Sequence, residues 1–347
     1  MEDSDLPFIT DESTFIIAEA GSNHNGDLET AISLIDAAAD AGADAVKFQT
    51  FRSETMYVED SGTIETANGE RSLYDVVADA EMPYEWIPRL FEHCRDREVY
   101  FMSSPFDEES VEKLEPYVPM IKVASSVLSH HPFLQAVAET GKPIVASTGA
   151  HTLQEIQESV ETLRAADASA IVLLHCISAY PTPLESANVR AVSRLIDEFD
   201  VPVGFSDHTI DATTAPTAAV ALGADVIEKH ITLDKSQEGL DHSFALEPEE
   251  LAEMVRAIRK TESALGSGEV TVQSIEQDWY ESARRTIHAT RDITEGEQIT
   301  VEDIAILRSG ERNRGLEPKH YDEVVGSTAQ TNLEKDQGIT RGDFISN

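Results

Sequence analysis

His208 and His230 stand at the polar ends of two apolar runs, VPVGFSDH (201–208) and ADVIEKHIT (224–232). If these runs are neighbouring parallel strands, about 4.8 Å apart, both imidazoles reach one ion. No cysteine shares either run, so several positions stay open to water and substrate oxygens. That suits Mn²⁺ or Mg²⁺ with a bound anion better than structural zinc. Lys47 and Lys122 lie in similar runs, DAVKFQT (44–50) and MIKVASS (120–126), and Ser104, Ser125, Ser147 and Ser206 stand at such run ends. Lysine supplies a point charge and serine a short hydrogen bond, as a phosphate or carboxylate requires. Glu19, in FIIAEAG (15–21), joins Glu228 and Asp241 as acid–base candidates. A carboxylate among alanines needs a cation, a metal or a raised pKa. Plainer readings stand beside these: a structural Glu19–Lys47 pair, capping serines, and satisfied pocket histidines. His175 reads as a core or supporting residue, and His24 as a pocket residue without an assigned role.

These groups are spread over more than 200 residues, so the fold has to gather them. The chain contains eight apolar runs ending in polar residues; the remaining ones are VYFMSSPF (99–106), PIVASTG (143–149) and AIVLLHC (170–176). Segments with helical spacing separate them. Eight alternations make a (β/α)₈ TIM barrel, in which the carboxyl ends of the strands share one pocket. Asp27 caps a helix to Ala41 with Gly42 as its stop. Further helices are expected at about 84–97, 107–117, 132–140, 152–166, 188–199, 211–222 and 247–264. Residues 51–82 read as an irregular connection over the barrel mouth. The rhythm breaks at Gly266-Ser267-Gly268. The expected division is a barrel over 1–265, a linker with a short polar helix over 266–283, and a small β-rich module over 284–347. DITEGEQITVEDI (292–304) aligns with NLEKDQGITRGDF (332–344), so the module reads as a twofold repeat.

The chain has 65 acidic against 26 basic side chains, a net charge of −39. Such a field repels nucleic acid and anionic membranes. The acids are spread throughout, which points to a carboxylate surface adapted to high salt (halophilic), more stable in molar KCl than in dilute buffer. Only nine lysines occur, and Lys47, Lys122 and Lys229 all lie inside apolar runs. Buried cations need anions, so the three together suggest an anionic ligand. No run approaches the ~18 apolar residues of a membrane span. The first 15 residues are acidic and carry no apolar signal segment. Cys94 and Cys176 form no disulfide framework, and a cytoplasmic location is expected.

The assembled motifs resemble those of the sialic acid synthase family, the N-acetylneuraminate and related nonulosonic acid synthases. The resemblance runs from about Phe15 to the last strand: IIAEAGSNHNGD (16–27), DAVKFQTF (44–51), SSPFD (103–107), IKVAS (121–125), STG (147–149), YPTP (180–183), GFSDHT (204–209) and EKH (228–230). RRTIHATRDITEGEQIT (284–300) and YDEVVG (321–326) are similar to the antifreeze-like (SAF, β-clip) domain of these enzymes. The resemblance implies a transferase that condenses phosphoenolpyruvate with an N-acylated hexosamine, giving a nine-carbon acid and phosphate by C–O cleavage. It implies that Lys47, Ser104, Lys122, Ser125, Ser147, Ser178 and Ser206 hold phosphoenolpyruvate. His208 and His230 would hold Mn²⁺ or Mg²⁺, and Glu19, Gln49, Tyr180 and Asp241 would position the sugar. It also implies a domain-swapped homodimer, with Arg308 reaching the sugar's acyl group in the partner's barrel. Glu228, beside a metal ligand, is the candidate base for the attacking water; Glu19 could instead hold that water or the sugar. Two departures bear on the sugar: Val127 stands where many members carry an acid, and Arg308-Ser309-Gly310 replaces Arg-Pro-Gly. Alternatives are a lysine Schiff-base aldolase using Lys122 or Lys229, a synthase of 3-deoxy sugar acids, and a non-catalytic sugar-binding barrel.

Overall fold

A computed structural model describes residues 6, 8–9, 13–66 and 69–345. The chain divides into two compact units, 1–266 and 267–347. The first contains eight parallel strands: β1 (Phe15–Gly21), β2 (Ala45–Thr50), β3 (Tyr100–Pro105), β4 (Ile121–Val123), β5 (Ile144–Ser147), β6 (Ile171–Cys176), β7 (Val203–Asp207) and β8 (Val226–His230). The hydrogen-bonded order runs β3-β2-β1-β8-β7-β6-β5-β4. β3 and β4 lie side by side and close the ring. This is the (β/α)₈ barrel that the eight runs imply.

Alternation along each strand sorts the side chains into two cores. Outward residues such as Ile16, Ala18, Val46, Phe48, Phe101, Ile121 and Ile227 pack against the helices. Inward residues at the strand starts form a separate apolar plug: Phe15, Ile17, Ala45, Met102, Met120, Val145, Val172, Leu174 and Val226, with Phe8 against them. Above that plug the inward positions turn polar: Glu19, Lys47, Ser104, Lys122, Ser147, Ser206, Glu228 and His230, all buried. Register aligns them in rings, with Glu19 opposite both Lys47 and His230, and Glu228 opposite Ser206. The plug seals one end, so the polar layer opens only toward the strand carboxyl ends.

Helix boundaries follow local capping. The first helix runs Leu28–Ala41; Asp27 accepts from the Thr30 amide, and Gly42 ends it at φ 88°. The helix expected from 211 begins only at Thr214, because the Asp211 carboxylate accepts from the amides of Thr213 and Thr214 and holds a turn instead. Residues 51–82 are more regular than their composition suggests. They form a helical turn (Ser53–Met56), a hairpin (Thr63–Thr66 with Gly69–Ser72) and a helix (Leu73–Asp79). Their stem is tied by Arg52, which donates to the carbonyls of Phe51 and Met82, and by Glu81, which accepts from the Ser53 amide and hydroxyl.

In the second unit the sequence repeat is a repeat of contacts. Asp303 accepts from the amide and hydroxyl of Thr300, and Asp343 does the same for Thr340. Ile293 pairs with Leu333 across the two halves. Their apolar residues meet in one small core including Ile287, Ile299, Ile304, Ile339 and Phe344.

Candidate active site

The barrel brings thirteen of the sequence-selected residues to the carboxyl ends of its strands or the loops just beyond: Glu19, Lys47, Gln49, Ser104, Lys122, Ser125, Ser147, Ser178, Tyr180, Ser206, His208, Glu228 and His230. Asp241 joins them from the loop after β8.

At the centre, Glu228 lies between two ammonium groups, with Oε1 3.7 Å from Lys47 and Oε2 4.0 Å from Lys122. The Ser206 hydroxyl donates to Glu228 Oε1 at 3.0 Å. Lys47 pairs with Glu19 at 2.7 Å and donates to Ser104 Oγ at 3.3 Å. Lys122 donates to Ser147 Oγ at 2.7 Å and to the Val123 carbonyl at 3.2 Å. Burial opposes the charge of Glu228, but Lys122 and Lys47 overcome it and hold the carboxyl below the usual range. Burial dominates at Glu19 and pushes it up to about 7 against the pull of Lys47. Burial lowers Lys122, with Glu228 opposing.

A cradle adjoins the lysines. The Gly149 amide donates to Ser125 Oγ at 3.0 Å. A Cβ on Gly149 would overlap Ser178 Oγ and come within 2.9 Å of Ser125 Oγ, so glycine lets both hydroxyls close on this stretch of backbone. Two ammonium groups, serine hydroxyls and a backbone turn are the donor types that suit a small polyanion.

A second group surrounds Gly21, which has φ +52°. A Cβ there would lie 3.1 Å from Asp241 Oδ2 and 3.4 Å from both Gln49 Nε2 and Glu19 Oε1. Gln49 donates to Glu19 at 2.8 Å. Burial raises Asp241 to about 6. These groups offer a hydroxyl-rich molecule both donors and acceptors.

The two histidines sit between these groups, ring centres 5.4 Å apart. His208 Nδ1–H donates to the Ile177 carbonyl at 2.9 Å, which leaves Nε2 as a lone pair. His230 Nδ1 is buried, accepts no hydrogen bond and lies 3.6 Å from Asp241 Oδ2. Burial drives His230 well below its ordinary value, so it is neutral. Two neutral imidazoles beside a carboxylate fit a divalent cation with open coordination positions. Among the described residues no cluster of three or more His, Cys, Asp or Glu side chains is placed to hold a metal ion.

Some residues fall elsewhere. Lys229 does not join the anion site. It points outward, pairs with buried Asp207 at 2.6 Å and also donates to the Thr209 and Asp211 carbonyls. Facing parity is the reason: Glu228 and His230 point inward, so Lys229 cannot. His175 is likewise outward, bonded to the Ala187 carbonyl and stacked on Phe205. His24 is buried against the Trp86 ring, and its Nδ1 accepts from the Gly26 amide. Arg308 lies in the second unit, at the end of strand Ile304–Arg308, with its guanidinium 5.7 Å from the Trp279 ring. Phe244 was not selected from the sequence. It packs edge-on against His230 (5.0 Å) and His208 (6.2 Å) and lies 5.5 Å from Tyr180. Its signal was an aromatic residue set in a polar loop three positions after Asp241.

Residues 34–270 match the NeuB family and residues 284–345 match the SAF domain. The chain is 42% identical to the spore coat polysaccharide biosynthesis protein SpsE of Bacillus subtilis, over 96% of this chain and 94% of that one. It is 40% identical to the N,N'-diacetyllegionaminic acid synthase of Legionella pneumophila, over 92% and 91%. Among solved structures, the N-acetylneuraminic acid synthetase of Leptospira borgpetersenii, in complex with citrate, superposes with a TM-score of 0.72 at 34% identity, covering 78% of this chain and 90% of that one. The chain belongs to the NeuB family and carries a SAF domain C-terminal to its barrel in the sequence.

Proposed function

We propose that this enzyme condenses phosphoenolpyruvate with an N-acylated hexosamine to give a nine-carbon nonulosonic acid and inorganic phosphate. The observation that carries the reading is the pair of buried lysines, Lys47 and Lys122, around Glu228, with serine hydroxyls on one side and the Glu19, Gln49 and Asp241 group on the other. A polyanion and a polyol would lie side by side, which suits a bimolecular C–C bond formation.

In this reading Lys47, Lys122, Ser104, Ser125, Ser147, Ser178 and Ser206 hold the phosphate and carboxylate of phosphoenolpyruvate. Glu19, Gln49, Tyr180 and Asp241 orient the open-chain sugar. His208 and His230 would hold Mn²⁺ or Mg²⁺, which when bound acts as a Lewis acid on the aldehyde carbonyl. The methylene carbon of phosphoenolpyruvate bonds to the aldehyde carbon, the carbonyl π pair moves to the aldehyde oxygen, which takes up a proton to become a hydroxyl, and the central carbon of phosphoenolpyruvate is left electron-poor. Glu228 is ionised between the lysines, and its Oε2 accepts no hydrogen bond. It takes the proton of the water that adds to the central carbon. The added hydroxyl then gives up its proton as the C–O bond to phosphate breaks, leaving the keto acid and inorganic phosphate. The two lysines stabilise the departing phosphate.

The assembly proposed is a homodimer in which Arg308 of one chain serves the partner's barrel. The location proposed is the cytoplasm, and the charge of −39 suits a high-salt interior. Among the described residues no helix is long and apolar enough to cross a membrane. Relatives bear the names of N,N'-diacetyllegionaminic acid and pseudaminic acid synthases. Val127, apolar and half-buried, lies just past the cradle. A further relative bears the name of an N-acetylneuraminate-9-phosphate synthase, from Homo sapiens, so the sugars to compare are a diacetamido trideoxyhexose and N-acetylmannosamine.

The test is phosphate release in molar KCl with Mn²⁺, phosphoenolpyruvate and each sugar separately. Release that requires both sugar and metal, with a nine-carbon acid in the mass spectrum and bridging ¹⁸O recovered in phosphate, is expected. No release with any N-acyl sugar overturns the reading.

A further inference from the structure

The loop that carries Asp241 is held by a residue with no place in the chemistry above. The loop leaves β8 and returns to it: the Leu246 amide donates to the His230 carbonyl at 2.8 Å, and the Thr232 amide donates to the Leu246 carbonyl at 2.9 Å. Between these ties the backbone forms no helix or strand, so the direction of its side chains must be set by other contacts. Asp241 and Phe244 point toward the histidines. His242 does not.

His242 is 1% exposed. Both of its nitrogens are bonded: Nδ1 to Thr232 Oγ1 at 2.7 Å and Nε2 to Asn25 Oδ1 at 3.2 Å. Asn25 donates its amide nitrogen to Gln237 Oε1 at 3.3 Å, which leaves its oxygen as the acceptor. His242 therefore carries its proton on Nε2, and its Nδ1 accepts the Thr232 hydroxyl, for which the Asp234 carbonyl at 3.2 Å is the longer alternative acceptor. Burial keeps the ring neutral, as this pairing requires. Gly239 allows the packing, since a Cβ there would stand 2.5 Å from His242 Cδ2. A second tie runs alongside: Asn23 donates to the Ile231 carbonyl at 2.9 Å. One imidazole thus joins the start of the last βα loop to the turn that follows β1, directly after the Gly21 position facing Asp241.

We infer that His242 is a positioning residue: it latches the 232–246 loop onto the 22–26 turn, so that Asp241 faces the sugar and Phe244 seats the two histidines. The inference rests on the proposed sugar site. The latch contacts neither lysine nor the serine cradle, so its loss acts on the sugar and on the histidine pair that Phe244 seats, and spares the phosphoenolpyruvate side. The two hydrogen bonds of the ring also mean that each partner supports the other. Removing Asn25 or His242 breaks the same link, and the double variant loses little beyond either single one.

The experiment has two arms. The first measures amide hydrogen exchange in the full-length protein. His242→Ala should raise exchange across residues 236–246 by at least about tenfold while β1 and β8 keep their protection. The second measures steady-state constants for wild type, His242→Ala, His242→Gln, Asn25→Ala and the His242→Ala/Asn25→Ala double variant. Expected are a rise of about tenfold or more in the sugar KM for His242→Ala, a phosphoenolpyruvate KM within about twofold of wild type, and partial rescue by His242→Gln, whose amide keeps the bond to Asn25. A loosened loop with an unchanged sugar KM overturns the positioning role, and an unchanged exchange rate overturns the latch. If wild type turns over no N-acyl sugar, the proposed function fails, and the exchange arm alone still decides whether the latch exists.

Discussion

Lys122 and Lys229 are both buried lysines in apolar strands, 2% and 1% exposed, yet they sit in opposite chemical situations. Lys229 is saturated. Asp207, the Thr209 hydroxyl and carbonyl, and the Asp211 carbonyl surround an ammonium that has only three protons to give. Lys122 makes two hydrogen bonds, and its carboxylate neighbour stands 4.0 Å away. One proton is left for a ligand, and the Glu228 contact is loose enough to yield. Burial of a charge therefore does not mark a site. What marks it is a buried charge whose neighbours leave something undone.

The contrast is broken most sharply at Lys122. Lys122→Ala should lower kcat/KM by about 10²- to 10³-fold, the scale for removing a preorganised group that stabilises developing charge. It should shift the thermal midpoint less than the equivalent change at Lys229 does. Equal activity in variant and wild type, by phosphate release, would falsify the assignment of this lysine to the anion site.

Lys229→Met should do the reverse. It strands Asp207 without a counter-ion inside the protein, a loss of about 3–5 kcal/mol when one partner of a buried pair is removed. Denaturant unfolding at fixed salt reads that loss. Adding Asp207→Asn should recover part of it, and the activity per folded molecule should survive in both. If Lys229→Met instead abolished binding of phosphoenolpyruvate by a protein of normal stability, the two lysines would not differ as argued.

The smallest effect sharpens the inner side. Glu19 titrates at about 7 because burial outweighs Lys47. Its folded value lies above its unfolded one, so its contribution to stability is complete at acid pH and is lost as pH rises through about 7. Glu19→Gln should flatten the stability profile between about pH 5 and pH 7. A profile of the same slope in both proteins would mean that Lys47 keeps Glu19 ionised throughout.

The polar ends of the strands were legible because each is short and sharply bounded. Glu19, Lys47, Ser104, Lys122, Ser147, Ser206, Glu228 and His230 end or interrupt apolar runs, and a parallel barrel assembles such ends without further instruction. The repeat over 292–304 and 332–344 was equally visible, since its Thr and Asp pairs recur at matching positions. Lys229 was misplaced because a barrel strand is covered on both faces. Its neighbours are apolar either way, and nothing in DVIEKH says which parity faces the axis. The segment 51–82 was read as irregular because its hairpin and helix are too short to show a period.

The amino-acid sequence by itself determined the barrel, its eight polar strand ends, the acidic surface and the repeated C-terminal module, because these depend on local period and composition. Only the tertiary structure decided which face each strand residue takes, and that Phe244 and His242 belong to the site's support. Those depend on the ring closure that sets every strand's parity at once, and on a loop whose direction is fixed by two hydrogen bonds to residues more than 200 positions away or on the other side of one turn.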